Sequence, residues 1–136
     1  MYPAEMVAPM KGELTDKGFN ELFSNEDVDN ALKAEGTTLV VVNSVCGCAA
    51  GSMRPAVKLS LENSKLPSSL TTAFAGVDKE AVDRARQYML PYPPSSPCIA
   101  LFKDGKLAHM IERHHIEGRT AEMIAENLKL AYNEFC

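Results

Sequence analysis

A chain of 136 residues with 46% hydrophobic composition can bury enough apolar surface for one compact α/β or α+β domain, and is too short for two ordinary ones. Charged residues make up 24%, the formal net charge is −4 and no cluster of lysines or arginines stands out, so the electrostatic footprint of a nucleic-acid binder is absent. No stretch approaches the roughly 20 consecutive apolar residues of a membrane span; residues 1–11 lack a basic start followed by an apolar core, so with Met1 read as a natural start the expected address is the cytoplasm.

In chain order, residues 6–23 carry scattered apolar positions with Pro9 and Gly12 among them, and predict one short helix. Ser24-Asn25-Glu26-Asp27 ahead of Val28 and Leu32 has the form of a capping box, and Gly36 is a natural stop, so a helix is predicted over 25–35. "TTLVVVNS" is β-branched and almost wholly apolar at its centre, as in a strand buried on both faces; it runs to about Val42 and delivers two cysteines at its carboxyl end.

Ala49, Met53, Ala56, Val57 and Ser60 then follow helical spacing, and "NSKLP" closes that helix. Pro55 inside it costs a hydrogen bond and predicts a kink. "SLTTAFAGV" is a second strand, after which Asp78 caps the helix "KEAVDRARQYM" with Val82, Ala85 and Met89 on one face. "LPYPPSSP" packs four prolines into eight residues and predicts a rigid loop. In "CIALFKDGKLAHMIE" the pair Asp104-Gly105 sits between two alternating runs, the signal of a tight hairpin. His114 and His115 fall in the following connection as solvated loop residues, and "EGRTAEMIAENLKLAYNEFC" is a last amphipathic helix with Ile124, Leu128, Ala131 and Phe135 on its buried stripe.

The result is a single α/β domain over 1–136: a helical N-terminal extension at 1–36, then a core at 37–136 with the order β-α-β-α-β-β-α. That order, with a cysteine pair at the start of the first core helix and a proline just before the hairpin, resembles thioredoxin-like domains, which implies a central mixed β-sheet flanked by helices.

The chain has four cysteines and no visible export signal, so in a reducing compartment the close pair Cys46 and Cys48 is expected to be reactive or metal-binding. A thiolate at a helix N-terminus is favoured by unpaired backbone N–H groups and the positive end of the dipole. Cys46 occupies that place, directly off the buried strand, and is the expected nucleophile; Cys48 is placed to resolve the mixed disulfide that results. Residues two apart reach disulfide geometry only over a sharply bent backbone, a bend Gly47 is expected to permit. So small a ring is strained and easily reduced, unlike a structural staple. Asn43 or Ser44 can add a local hydrogen bond, whereas Arg54 lies far along the helix.

The rival reading is a metal-binding module in which Cys-x-Cys holds copper(I) or zinc. Further ligands would have to come from Cys98, Cys136, His109, His114 or His115, and none shows metal-ligand spacing with the pair, so no metal site is assigned.

In the thioredoxin-like architecture Pro97 would be cis and pack beside the cysteines, leaving the Ser96 backbone to pair with an incoming peptide or thiol. Strand alternation turns Cys98 away as an inert core residue, and Met53 and Met89 fit core stripes. Cys136, at the terminus, is read as an idle end or a site of intermolecular crosslinking.

"TTLVVVNSVCGCAAGSMRPA", "PYPPSSPCIALFKDGKLAHMIERHHIEGR" and the terminal "FC", with "GFNEL" and "EDVDNAL" near the start, together resemble the bacilliredoxin family of small cytoplasmic bacterial proteins. The most specific element is the Cys-Gly-Cys turn in place of Cys-x-x-Cys. The resemblance implies removal of bacillithiol from S-bacillithiolated proteins: Cys46 attacks the mixed disulfide and takes up the bacillithiol, and Cys48 matches the family's second cysteine. It also implies weak disulfide isomerase activity, disulfide-containing client proteins as partners, and no cofactor beyond bacillithiol as the thiol substrate.

Overall fold

The structure is a computed structural model and describes residues 2–33 and 35–136. Its centre is β2 (Thr37–Asn43), buried along its whole length, as a β-branched apolar run with no polar alternation dictates. β2 pairs in parallel with β3 (Ser69–Phe74) and antiparallel with β4 (Cys98–Lys103). β5 (Lys106–Ile111) folds back antiparallel on β4 through Asp104 and Gly105, whose φ values of 51° and 81° are those of a tight hairpin turn. Only glycine fits the second position, because a Cβ on Gly105 would come within 2.7 Å of the Leu32 carbonyl oxygen.

Strand alternation divides the core into two layers. Leu39, Val41, Ile99 and Leu101 face α3 (Arg54–Ser60) and α6 (Ala121–Phe135), together with Leu14 of α1 (Ala4–Thr15). Val40, Val42, Ala100 and Phe102 face α2 (Asn25–Lys33) and α4 (Lys79–Tyr88). Each fully buried Val or Leu contributes about 1.5–3 kcal/mol. A one-residue slip of β2 would send every side chain to the wrong layer, and a charge at Val41 would break the inner one.

The N-terminal extension differs from its prediction in two ways. α1 starts just after Pro3 and continues through Pro9, since the acceptor that Pro9 leaves unserved, the Glu5 carbonyl, is on an exposed residue that water reaches. The extension also adds an edge strand, β1 (Asn20–Glu21), parallel to β3, giving the sheet order β1-β3-β2-β4-β5. Two residues are too short to show a period, so this strand left no signal.

α2 begins as read, with Ser24 Oγ accepting from the Asp27 N–H at 3.1 Å, and is described as far as Lys33, with Glu35 already outside the helix; residue 34, inside the predicted helix, and residue 1 lie outside the described residues. Asp78 precedes α4 without capping it, because its carboxylate accepts from the Phe74 N–H at 2.9 Å and closes the β3–α4 turn instead. On α6, Ile124, Leu128 and Ala131 are buried as expected, but Phe135 is only half-buried. Tyr132 takes the deepest place, fully buried with its hydroxyl 2.9 Å from Ser60 Oγ. Among the described residues no helix is long and apolar enough to cross a membrane.

Candidate active site

The cysteine turn leaves the carboxyl end of β2. Ser44 Oγ accepts from the Cys46 N–H at 3.1 Å, and the Cys46 carbonyl accepts from Ala49 and Ala50 at 3.0 and 3.2 Å, which starts the helix at Cys46. A residue in that position directs its side chain at the N–H two residues on. Here that N–H belongs to Cys48, so the two-residue spacing sets Cys48's own backbone donor under the Cys46 sulfur.

The two sulfurs lie 2.8 Å apart and both residues are half-buried. The Cys46 thiol is held below the ordinary cysteine value, first by the hydrogen bond from the Cys48 thiol, then by the Cys48 backbone N–H, and further by the positive charge of Arg113. Cys48 is shifted upward, first by burial and then by the hydrogen bond and charge of Cys46. The first proton the pair gives up therefore comes from Cys46, and Cys48 keeps its hydrogen to higher pH.

Arg113 is the site residue that sequence reasoning missed. Its Nη2 lies 3.2 Å from Cys46 Sγ, its Nη1 donates to the Ser96 carbonyl at 3.0 Å, and its Nε donates to Glu117 at 2.6 Å. One guanidinium thus bridges the Cys46 sulfur to the Ser96–Pro97 peptide bond, which is cis. Ser96, expected to offer its backbone to an incoming chain, has its carbonyl engaged by Arg113 here. The available signal was topological, since the chain leaving β5 must pass the proline loop that precedes β4.

The cysteine pair is unbridged here, and Gly47 lies in the first turn of the helix. It is exposed, it has no positive φ, and a Cβ there would touch nothing. An ordinary helical turn already brings the sulfurs together, and what glycine leaves is a bare face beside them.

Pro55 does not fall in the interior of a regular α-helix. The Arg54 N–H reaches back to the Ala49 carbonyl, a five-residue spacing that widens the turn over Ala49–Met53, and Pro55 then falls in the first turn of α3, where it has no bond to lose. Arg54 turns away from the sulfurs. Buried to 2% exposure, it donates to Asn43 Oδ1 and the Ser44 carbonyl, both at 2.9 Å, and to Glu13 at 2.7 Å. Asn43 in turn donates to the Met10 carbonyl at 3.1 Å, so α1 braces the backbone that carries Cys46.

The other cysteines stand apart. Cys98 is buried in the layer facing α2 and α4, and burial pushes its thiol up to about 12. Cys136 is exposed at the far end of α6: Ser52 meets Arg119 just before that helix, and Asn63 meets Asn133 near its other end. At 1.5 Å per residue this separation along the helix axis is about 20 Å.

His114 and His115 lie in a one-turn helix, α5 (Arg113–Ile116), where the His115 ring accepts from the Glu112 N–H, and are not loop residues. Among the described residues Glu112, His114 and His115 bring ligand-type atoms within 4.8 Å of one another, and neither Cys46 nor Cys48 belongs to that group. The residues considered as further metal ligands are thus not gathered around the cysteine pair.

Comparison with known proteins agrees with this geometry. The family model described as disulphide isomerase matches residues 2–136. The chain is 63% identical over 134 residues to a bacilliredoxin of Cytophaga hutchinsonii, covering 98% of this chain and 99% of that protein. It is 52% identical to a bacilliredoxin of Halalkalibacterium halodurans, covering 99% and 94%. Among solved structures, oxidised mitochondrial thioredoxin 3 of Saccharomyces cerevisiae superposes with a TM-score of 0.57 at 18% identity, over 87% of this chain and 96% of that one, a likeness of fold.

Proposed function

The chain belongs to the bacilliredoxin family and is a thiol–disulfide oxidoreductase of thioredoxin-like fold, and we propose that it removes bacillithiol from S-bacillithiolated proteins in the cytoplasm. The observation that carries this reading is the unequal setting of two sulfurs 2.8 Å apart: Arg113 Nη2 lies 3.2 Å from Cys46, whose thiol is lowered, while burial and the Cys46 neighbour raise Cys48.

The Cys46 thiolate attacks the bacillithiol sulfur of the mixed disulfide. The client sulfur leaves as a thiolate, and a Cys46–bacillithiol disulfide takes its place. With the Cys46 charge consumed, one cause that raised Cys48 is removed and its proton is released more easily. The Cys48 thiolate then attacks Cys46 Sγ and expels bacillithiol as its thiolate, leaving Cys46 and Cys48 joined by a disulfide. Two electrons have passed from the dithiol to the mixed disulfide, and an external thiol reductant returns them. No cofactor takes part; bacillithiol and the client are the substrates.

The test is to incubate a bacillithiolated client with the reduced protein. The client thiol is freed by the unaltered chain and retained with Cys46→Ala. Absence of release, with the variant indistinguishable from the unaltered chain, rejects the reading. The family model's description favours a second reading, disulfide isomerisation, which predicts faster turnover of scrambled disulfides than of small-thiol adducts.

A further inference from the structure

Cys46 lies on the wall of a cavity of about 230 Å³ that also borders Arg113, Ser96 and Gly76. A second cavity, about 530 Å³, shares Ala75, Gly76 and Ser96 with it and continues to Lys79, Asp83 and Arg86 of α4. The two form one groove that starts at the nucleophile and ends at a guanidinium, within the size range of small-molecule sites.

Its charge is opposite to that of the chain. The lining carries three cations, Lys79, Arg86 and Arg113, and one carboxylate, Asp83, in a protein of net charge −4. Lys79 spends its charge on Asp83 at 2.6 Å and Arg113 is engaged by Glu117, Ser96 and Cys46. Arg86 differs: it lines the groove, and among the described residues its buried Nε has no hydrogen-bond partner. A buried guanidinium N–H without an acceptor is costly, and an acceptor brought by a ligand would remove that cost. At Gly76, φ +82°, the absence of a side chain lets the Tyr2 ring pack against the backbone, so that ring forms part of the groove wall on the Cys46 side.

We propose that this groove is the subsite for the small-thiol half of the mixed disulfide, and that it selects thiols whose far end carries carboxylates, with Arg86 as the recognising residue. The assignment rests on the thiol-transfer reading above. In the Cys46–thiol intermediate the new S–S bond sits beside Arg113, the body of the thiol runs past the Tyr2 ring between Ser96 and the β3–α4 turn, and its carboxylate meets Arg86. Release by Cys48 breaks the Cys46 bond and frees the thiol from the groove.

The experiment uses one reporter protein carrying three adducts in turn: bacillithiol, glutathione, and the diethyl ester of glutathione, which keeps the skeleton and loses both carboxylate charges. Rates of release by the reduced full-length protein are each normalised to the rate with free dithiothreitol. The glutathione adduct is expected to exceed its diester by about tenfold at low salt. That ratio shrinks as salt is raised and falls toward unity in Arg86→Gln, with Arg86→Lys in between. Should Arg86→Gln misfold, the salt dependence of the ratio in the unaltered protein still separates a charged contact from none. Equal rates for glutathione and its diester, while the bacillithiol adduct is released, overturn the groove assignment and leave the thiol-transfer reading standing. Failure to release any of the three rejects the thiol-transfer reading and the groove with it.

Discussion

Arg113 and Cys46, 67 positions apart in the chain, meet with Nη2 at 3.2 Å from Sγ. A cation at that distance favours the thiolate over the thiol, so Arg113→Met is expected to move Cys46 back toward the ordinary cysteine value. Alkylation of Cys46 by iodoacetamide at neutral pH should slow by about threefold to tenfold. The pH at which half-maximal reactivity is reached should rise in the variant, and added salt should affect the unaltered protein more than the variant.

Replacing Cys48 separates two roles carried by one residue. Under the proposed mechanism, either Cys48→Ser or Cys48→Ala is expected to leave a Cys46–bacillithiol adduct unresolved, detectable as a stable mass increase on the peptide holding residue 46. Because the hydrogen bond from the Cys48 side chain is the largest cause of the lowered Cys46 value, the two variants part in rate. Serine retains a donor and alanine does not, so Cys46 in Cys48→Ala should be alkylated more slowly at neutral pH than in Cys48→Ser.

Arg54 ties α1 to the turn through a guanidinium that is almost wholly buried, paired with a Glu13 carboxylate that is a third exposed. Burial opposes the Glu13 charge, but the Lys58 and Arg54 hydrogen bonds outweigh it and hold that carboxyl below its usual range. Arg54→Met strands the Asn43 and Ser44 acceptors and is expected to cost about 3 kcal/mol in urea unfolding. Glu13→Gln should cost less, up to about 1 kcal/mol, because solvent reaches the carboxylate. Its contribution is present above the unfolded carboxyl value and is lost as pH falls through the lowered folded one, so the gap between Glu13→Gln and the unaltered chain closes in acid.

The alkaline limb of stability belongs to two buried acids. Burial pushes both the Tyr132 hydroxyl and the Cys98 thiol up to about 12. In the unfolded chain they ionise near about 10 and about 8.5. The folded state therefore keeps protons that the unfolded state gives up. The stability they supply is whole below the unfolded values and is lost as pH rises through the folded ones, by about 1.4 kcal/mol per pH unit and group. Urea unfolding followed from neutral to alkaline pH should show this fall. Tyr132→Phe should flatten it above pH of about 10 while costing about 1 kcal/mol at neutral pH through the lost Ser60 bond.

What the sequence revealed and what it hid divide along the range of the interactions. β2, the hairpin at Asp104-Gly105, the Ser24 cap and the placement of Cys46 at a helix start are written in runs of adjacent residues whose propensity and burial agree. β1 is too short for any pattern, and Tyr132 resembles a surface aromatic until Ser60 comes to meet its hydroxyl. Arg113 and Arg54 look like two charges among fourteen Lys and Arg residues. Their partners are Cys46 and Glu13, brought to them only by the sheet order and the seating of α1, and no local period marks either one. Gly47 in the unbridged pair leaves a bare face beside the sulfurs, a missing side chain that no local period marks.

The chemistry of the turn depends on its two sulfurs being unequal. Competitive alkylation of the reduced protein with isotope-coded iodoacetamide, read by peptide mass spectrometry from about pH 5 to about pH 10, measures each cysteine separately. Cys46 should be labelled first, with its reactivity rising at a pH below that of an ordinary cysteine, while Cys48 follows only at higher pH and Cys98 stays unlabelled in the folded chain. Equal labelling of Cys46 and Cys48 at neutral pH, or Cys48 ahead of Cys46, would contradict that inequality.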